Sequence, residues 1–406
     1  MIDLDHNATT PLDPRVRAAM VALLSREDLG NPSSQHRRGQ AAREVVEAAR
    51  RRVAAATGAE PLGVTFTSGG TEADALAVLG VARALRAQGR PYGVLSARIE
   101  HPAVTAAVLR LESEGHPVRW IAVDEAGRVD PEQVADCLRS DPRVGLCSLA
   151  AANHELGNAY DVFALVAAVR AVRPDVLVHV DAVQSLGKEP VSLSAWGVDL
   201  LSVSAHKVGG PKGVGALVHA RGLTVSPLMP GGQQERGRRG GTEALEIIDG
   251  FGLAAQWAAA EQARRRAHTD RLRSRLRVGL LALGARIHGD PERHTGNTLN
   301  VAFDGCPGEL VMMNLDLAGF AVSTGAACSA GAAEPSPVLR ALGQPVPRAL
   351  EAVRISLHHT STESEVEGLL GALAEVVPRV RAAGDPSCRD PRSRDPSRQD
   401  PSRRAS

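Results

Sequence analysis

Little in this chain is aromatic. Phe, Trp and Tyr together make up 2% of 406 residues, which leaves almost no rings on which nucleic-acid bases could stack and makes Leu, Val and Ala the material of the core. Charge of one sign is lacking too. The 47 basic and 46 acidic residues leave a formal net charge of +1, so no global field draws in nucleic acid or anionic lipid. The five cysteines, Cys137, Cys147, Cys306, Cys328 and Cys388, are too few and scattered for a disulfide framework. They include no C-x-x-C pair for zinc, and free thiols in a reducing compartment are expected. No apolar run approaches the roughly 18 to 20 residues that span a bilayer. Met1 leads into Ile2, Asp3 and Leu4 rather than a basic-then-apolar leader, and a cytoplasmic protein with no nucleic-acid or membrane partner is expected. Lysine is scarce as well: only Lys188, Lys207 and Lys212 occur among the 47 basic residues, which bounds any lysine chemistry.

What is present is ordinary globular material, 43% hydrophobic and 23% charged, enough for one large or two modest domains. Short β-rich runs at Val64–Thr67, Gly93–Ala97, Val118–Val123, Val144–Leu149, Val176–Val180, Leu200–Val203 and Gly215–His219 alternate with Ala/Arg-rich stretches of helical period. That spacing predicts a largely parallel sheet covered by helices. From about Ala254 to Leu283 apolar positions recur every three to four residues among arginines, which predicts one long exposed helix leading to a second domain with strands near Thr298–Phe303 and Val353–Leu357. From Gly384 onward Asp-Pro-Ser and Arg recur without apolar period, the composition of a disordered tail.

Three segments carry chemistry. In Ser202-Val-Ser-Ala-His-Lys-Val-Gly-Gly-Pro-Lys-Gly-Val-Gly215 a strand ends in small polar residues followed by Lys207, and an amine so placed can form an imine with an aldehyde cofactor. A second strand ends in Asp181, followed at Gln184 by an amide. A carboxylate at the carboxyl end of a parallel strand sits where ligands bind in such sheets and can hold a pyridinium nitrogen protonated. These are the Lys and Asp partners that pyridoxal phosphate needs. In the third, Phe66-Thr-Ser-Gly-Gly-Thr71-Glu-Ala-Asp, a strand feeds a turn that opens a helix, whose backbone amides suit a phosphate. Neither G-x-G-x-x-G nor the G-x-x-x-x-G-K-[ST] loop occurs here, which disfavours nicotinamide and ATP.

The chain resembles the cysteine desulfurases of the NifS/IscS group, pyridoxal-phosphate enzymes of the class V aminotransferase family. The likeness runs in order through Asp3-Leu-Asp-His-Asn-Ala-Thr-Thr-Pro11, Gly30-Asn-Pro-Ser-Ser-Gln-His36, Thr67-Ser-Gly-Gly-Thr-Glu72, Glu100-His-Pro-Ala-Val104, Ser204-Ala-His-Lys207 and Gly231-Gly-Gln-Gln-Glu-Arg236. It continues through Ser323-Thr-Gly-Ala-Ala-Cys-Ser329, Glu334 to Gly343 and Val353-Arg-Ile-Ser-Leu357. It implies the α/β fold of the PLP-dependent transferases (aspartate aminotransferase type I). A large PLP-binding domain over 13–255 would carry a mostly parallel sheet. Residues 1–12 and 256–383 would form a smaller α/β domain with the catalytic-cysteine loop, and 384–406 the tail.

The resemblance also implies roles. Lys207 matches the imine lysine, Asp181 the partner of the pyridine nitrogen and Gln184 the donor to the ring's phenolic oxygen. Gly70, Thr71, Ser204 and His206 match the phosphate cradle, and Thr242 a threonine that reaches the phosphate of the other subunit, so a homodimer is implied. His101 matches the imidazole that stacks on the ring and serves acid–base steps. Arg354 matches the grip on the substrate carboxylate, with Asn7 lining that pocket, and Cys328 the nucleophile that takes sulfur from L-cysteine as a persulfide for a protein acceptor, in iron–sulfur cluster assembly or another thiolation pathway. No metal is implied.

The sequence departs from the pattern at three places. His154 stands where an asparagine touching cofactor and substrate is usual, Ala75 replaces an Asn, and His358-His359 replace Gly-Arg. An imidazole at 154, with an ordinary pKa of roughly 6.5, would add a titration within the working range. The two rings at 358 and 359, taken as neighbours on a strand, would point oppositely. A selenocysteine lyase or another class V enzyme would share the cofactor residues without requiring the Cys328 loop in this form. A non-catalytic sulfur scaffold and a nucleotide-binding α/β protein are weaker alternatives.

Overall fold

The structure is a computed structural model that describes residues 1–324 and 334–384. Cys328, Cys388 and the Asp-Pro-Ser-Arg tail lie outside the described residues. All seven β-rich runs are strands of one sheet, three with the expected bounds and four shifted by one or two residues. In spatial order they are Val64–Thr67, Gly215–His219, Leu200–Ser204, Leu177–Asp181, Val144–Ala150, Gly93–Ala97 and Val118–Ile121. Gly215–His219 runs antiparallel to both neighbours, and the other pairs are parallel. Every residue of Val144–Ala150 and Leu200–Ser204 is buried, because helices cover both faces and an alternating pattern would have no solvent side to serve.

On one face the helix Arg37–Ala56 places Ala42, Val46, Ala49 and Val53 at three- to four-residue spacing against Phe251, Ala254, Ala255 and Ala258 of the helix Leu245–Ala260. Their backbones approach so closely that a Cβ on Gly252 would lie 2.7 Å from Ala49 Cα. The single long exposed helix expected from Ala254 to Leu283 is therefore two. Leu245–Ala260 is largely buried, and the chain breaks at Glu261 (φ −101°, ψ 2°) before Gln262–Ala282 begins. Ala-rich composition conceals that burial, since alanine contrasts weakly with its polar neighbours on a helical wheel.

Gln262–Ala282 turns Leu272, Leu276 and Leu280 into a second apolar core shared with Leu4, Leu299, Val301, Phe303, Val353, Ile355, Leu369 and Leu373. The antiparallel strands Arg286–His288, Thr298–Ala302 and Ala352–Ser356 form its sheet, with Asn300 opposite Arg354. The chain's start joins both cores. Ile2–Asp3 pairs with Phe320–Ala321, after which Asn7 N–H donates to Ser356 Oγ (2.9 Å) and Thr10 N–H to the His206 carbonyl (2.9 Å). His358 and His359 lie past the end of Ala352–Ser356, not on it. Their ring centroids are 3.9 Å apart, and the His358 ring is 4.8 Å from that of His6, so the opposed orientation expected of neighbours on a strand does not hold.

Candidate active site

The carboxyl ends of the parallel strands converge on a cavity of about 280 Å³ lined by residues that include Gly70, Thr71, Asp74, His101, His154, Asp181, Gln184, Ser204, His206 and Lys207. Strand ends supply Asp181 and Ser204. Gly70 and Thr71 open a helical stretch that runs from Gly70 to Ala87 through a π turn at Leu76–Gly80. A Cβ on Gly70 would lie 2.9 Å from Val183 Cγ2, so glycine lets the start of that helix sit against the sheet. Ser204 Oγ is buried and finds no hydrogen-bond partner among the described residues.

His101 is the N-cap of the helix Pro102–Ser113, its Nδ1 accepting from Ala103 N–H at 3.1 Å; in the neutral ring the proton therefore sits on Nε2. Asn153 shapes the turn that delivers His154. Its Oδ1 accepts from the N–H groups of Glu155 and Leu156 at 2.9 Å each, and its Nδ2 donates to the Ile99 carbonyl at 2.8 Å. The His101 and His154 rings meet edge to face, 5.0 Å apart. Burial, with Lys207 and Arg354 nearby, holds His101 down at about 4. Burial, then His101, Arg354 and Lys207, keep His154 well below the ordinary imidazole value. Both rings are thereby favoured in the neutral form, which runs against the titration within the working range expected for His154. The carboxylate next to it, Glu155, lies 3.6 Å away and is itself raised to about 7 by burial.

The carboxylates are also perturbed. Asp181 is raised by burial although Val183 N–H donates to its Oδ1 (2.9 Å). Asp74 and Glu100, also raised by burial and by repulsion from Asp181, keep Asp74 Oδ1 and Glu100 Oε2 without hydrogen-bond partners among the described residues. Behind Asp181, His179 is bonded on both sides, Nδ1 to Ser148 Oγ and Nε2 to Ser202 Oγ, each at 2.9 Å. Lys207 Nζ donates to the carbonyls of Asn7 and Ala8 (3.0 Å to the latter). Burial first, then Arg354, bring it down to about 8, so a useful fraction is free amine near neutrality.

Arg354 and Asn7 share an acceptor: Arg354 Nη1 and Asn7 Nδ2 both donate to the His154 carbonyl at 3.2 Å, while Arg354 Nη2 reaches Asp5 Oδ1 at 2.6 Å. Thr242 is exposed and does not line this cavity. Three residues escaped the sequence reading. Asp5, within the Asp3–Pro11 motif, meets Arg354; Asp74 lies in the phosphate-turn segment; Lys188, one of only three lysines, bonds Asn7 Oδ1 and Gln184 Oε1. Among the described residues no group of three or more His, Cys, Asp and Glu is arranged to hold a metal, and no helix is long and apolar enough to cross a membrane.

The family model for class V aminotransferases matches residues 2–369. The chain belongs to the class V aminotransferases. Within that family it is 45% identical over 383 residues to a cysteine desulfurase of Cereibacter sphaeroides, covering 93% of this chain and 96% of that one. A solved NifS-like protein superposes with a TM-score of 0.86 at 36% identity, covering 93% of this chain and 99% of that one. A structure of SspA in complex with cysteine superposes with a TM-score of 0.76 at 28% identity, covering 89% of this chain and all of that one. Such coverage carries the class V fold over nearly the whole chain, its mostly parallel sheet included.

Proposed function

We propose that this class V chain is a pyridoxal-phosphate-dependent cysteine desulfurase that converts L-cysteine to L-alanine and passes the sulfur to a protein acceptor, working as a cytoplasmic homodimer. The observation that carries the reading is a depressed amine, Lys207, in the same cavity as a buried carboxylate, Asp181, raised by burial. The cofactor suits what the cavity leaves unmet. A protonated ring nitrogen would give Asp181 a cation, a phosphate would accept from the orphaned Ser204 hydroxyl and the amides at Gly70 and Thr71, and an aldehyde would take the Lys207 amine. When bound, pyridoxal phosphate supplies an electron sink for the carbon next to the amino group.

The chain's own residues do the rest. Lys207, released by the incoming amino acid, holds and returns the Cα proton at Nζ, for which a value near 8 is suited. Asp181 keeps the ring nitrogen protonated by its negative charge. The neutral His101 would donate from Nε2 beside the ring. Arg354 offers its guanidinium to the substrate carboxylate, in exchange for Asp5. The Cys328 thiolate takes the sulfur: one S–S bond forms, the C–S bond breaks, and a proton completes the alanine methyl group. Thr242, exposed in one chain, would serve the phosphate of a second. The test is alanine release from L-cysteine by purified protein, with Cys328→Ala alongside. Alanine from the wild type and none from the variant, with the cofactor still bound, is the expected result. Full activity in Cys328→Ala would move the reading to a lyase.

A further inference from the structure

Lys188 is a half-buried amine that takes no part in the reaction. It lies one helical turn past Gln184 in sequence, and its Nζ donates at 2.6 Å to Gln184 Oε1 and at 3.0 Å to Asn7 Oδ1. It does not line the larger cavity but a neighbouring one of about 40 Å³, with His6, His358 and Asn297 among its walls. Its amine is therefore not a rival to Lys207 for the aldehyde.

What Lys188 does follows from which atoms can face an amine. A carboxamide is an acceptor at one end and a donor at the other, and its two orientations are nearly the same shape. An amine that gives both of its bonds as a donor accepts only the oxygen ends, so Lys188 fixes two amides at once. Gln184 is left with its Nε2 turned the other way, donating at 3.0 Å to the Asn7 carbonyl, the carbonyl that also accepts from Lys207. Asn7 is left with its Nδ2 donating to Thr298 Oγ1 (2.8 Å) and to the His154 carbonyl (3.2 Å). Its Oδ1 takes a second bond from Asn297 Nδ2 at 3.1 Å. The His154 carbonyl in turn accepts from Arg354. One side chain thus stands between the cofactor side and the carboxylate-binding side of the cavity. The protonated amine has no lone pair to accept from an amide N–H, so it can meet only the two oxygens.

We propose that Lys188 is a positioning residue that locks the amide orientations of Gln184 and Asn7, so that Gln184 presents an N–H donor, and not a carbonyl, to the ring oxygen of the cofactor. This rests on the pyridoxal-phosphate reading above. Without Lys188 only the bond to the Asn7 carbonyl keeps the Gln184 amide in this orientation, and in the reversed form its oxygen would face the ring oxygen and repel it.

The experiment is a double-mutant cycle on the cofactor-loaded protein, reading both kcat for alanine and the pH titration of the visible cofactor band. Lys188→Met, close to lysine in volume but without donors, is expected to retain the cofactor, to shift the titration midpoint of the band by about half a pH unit or more, and to lower kcat about tenfold. Once Gln184→Ala has removed the amide that faces the ring, adding Lys188→Met should no longer shift the midpoint and should cost clearly less in kcat than it does in the wild type, the remainder belonging to Asn7. Losses that multiply in full, or a Lys188→Met protein with the wild-type midpoint and kcat, would overturn the proposal. Should Lys188→Met not be recovered folded, Lys188→Gln carries the same cycle. Its amide nitrogen can donate to one of the two oxygens, so a smaller shift that still vanishes with Gln184→Ala supports the proposal, and full multiplication overturns it. A wild-type chain with no visible band would remove the functional reading and this inference with it, an outcome separate from a wild-type band that the Lys188 variants leave unchanged.

Discussion

Two of the places among the described residues that bury charge treat it in opposite ways. Arg50 and Glu235, with side chains 4% and 2% exposed, form a two-pronged pair at 2.8 and 2.9 Å. Arg50 also donates to Glu47 and to the Val64 carbonyl, and Glu235 accepts from Phe66 N–H. Every prong finds a partner. That closure holds Glu235 (φ 47°) and Arg236 (φ 57°) in the left-handed region, a conformation that costs non-glycine residues about 1–2 kcal/mol each. In the cavity the reverse holds: Asp74, Asp181 and Glu100 share a buried region with too few cations, and Lys207 is desolvated beside Arg354. Charge that is completed by the fold stabilises it, whereas charge left incomplete awaits a ligand.

The sharpest way to break the cavity side of this contrast is to remove its amine. Lys207→Ala should lose the covalent attachment of pyridoxal phosphate and cut turnover by more than about 10³-fold, while the melting temperature of the apoprotein stays close to wild type. Borohydride reduction and peptide mapping would mark Lys207 in the wild type; a mark on Lys188 or Lys212 would sink the assignment. On the other side, Arg50→Met leaves Glu235 buried without its cation, and a loss of about 3–5 kcal/mol in denaturant unfolding is expected. A loss under about 1 kcal/mol would show that the loop relaxes and that the closed network is not what holds it.

A smaller effect concerns pH. Because burial and Arg354 bring Lys207 down from 10.5 to about 8, the free amine is present from about pH 8 upward and is lost as protons bind below it. The rate at which apoprotein attaches pyridoxal phosphate, followed by absorbance, should therefore rise about tenfold per unit between pH 5 and 7 and level off above 8. A rate still climbing at pH 10 would mean an ordinary, solvated lysine.

How much of this could be read from the sequence differs between the same two kinds of place. The inner strands were legible because strands buried on both faces are runs rich in Val, Leu and Ala, the half-exposed edge strand Val118–Ile121 because of its β-branched and aromatic residues, and Asp181 and Lys207 because strand ends mark the ligand-binding edge of such sheets. Lys188 was visible as a lysine but not as a partner, since the atom it meets on Asn7 belongs to a residue 181 positions away. Arg50 and Glu235, 185 positions apart, were hidden for the same reason. The break at Glu261 leaves no mark in the sequence, since neither Gly nor Pro stands there to end the helix.

The smallest expected effect belongs to His154, where sequence and structure disagree most usefully. As a sequence departure it suggests a group that titrates near 6.5 and shapes the pH profile. In the fold it cannot play that part: burial, His101, Arg354 and Lys207 all disfavour its charged form. Glu155, the carboxylate next to it, is raised to about 7 and is only partly charged near neutrality. The sign follows directly. A group whose folded value is depressed stays neutral as the pH falls through 6.5, so no proton is taken up there and no limb of the profile belongs to it. What His154 contributes at fixed charge is a ring edge against His101 at 5.0 Å and a backbone carbonyl that any residue would supply to Asn7 and Arg354. His154→Asn should therefore keep turnover within about threefold and leave the acid limb of kcat/KM between pH 6 and 8 where it was. If that limb moves by more than about half a unit, His154 does carry a proton in the working enzyme, and burial has been given too much weight against the carboxylates around it.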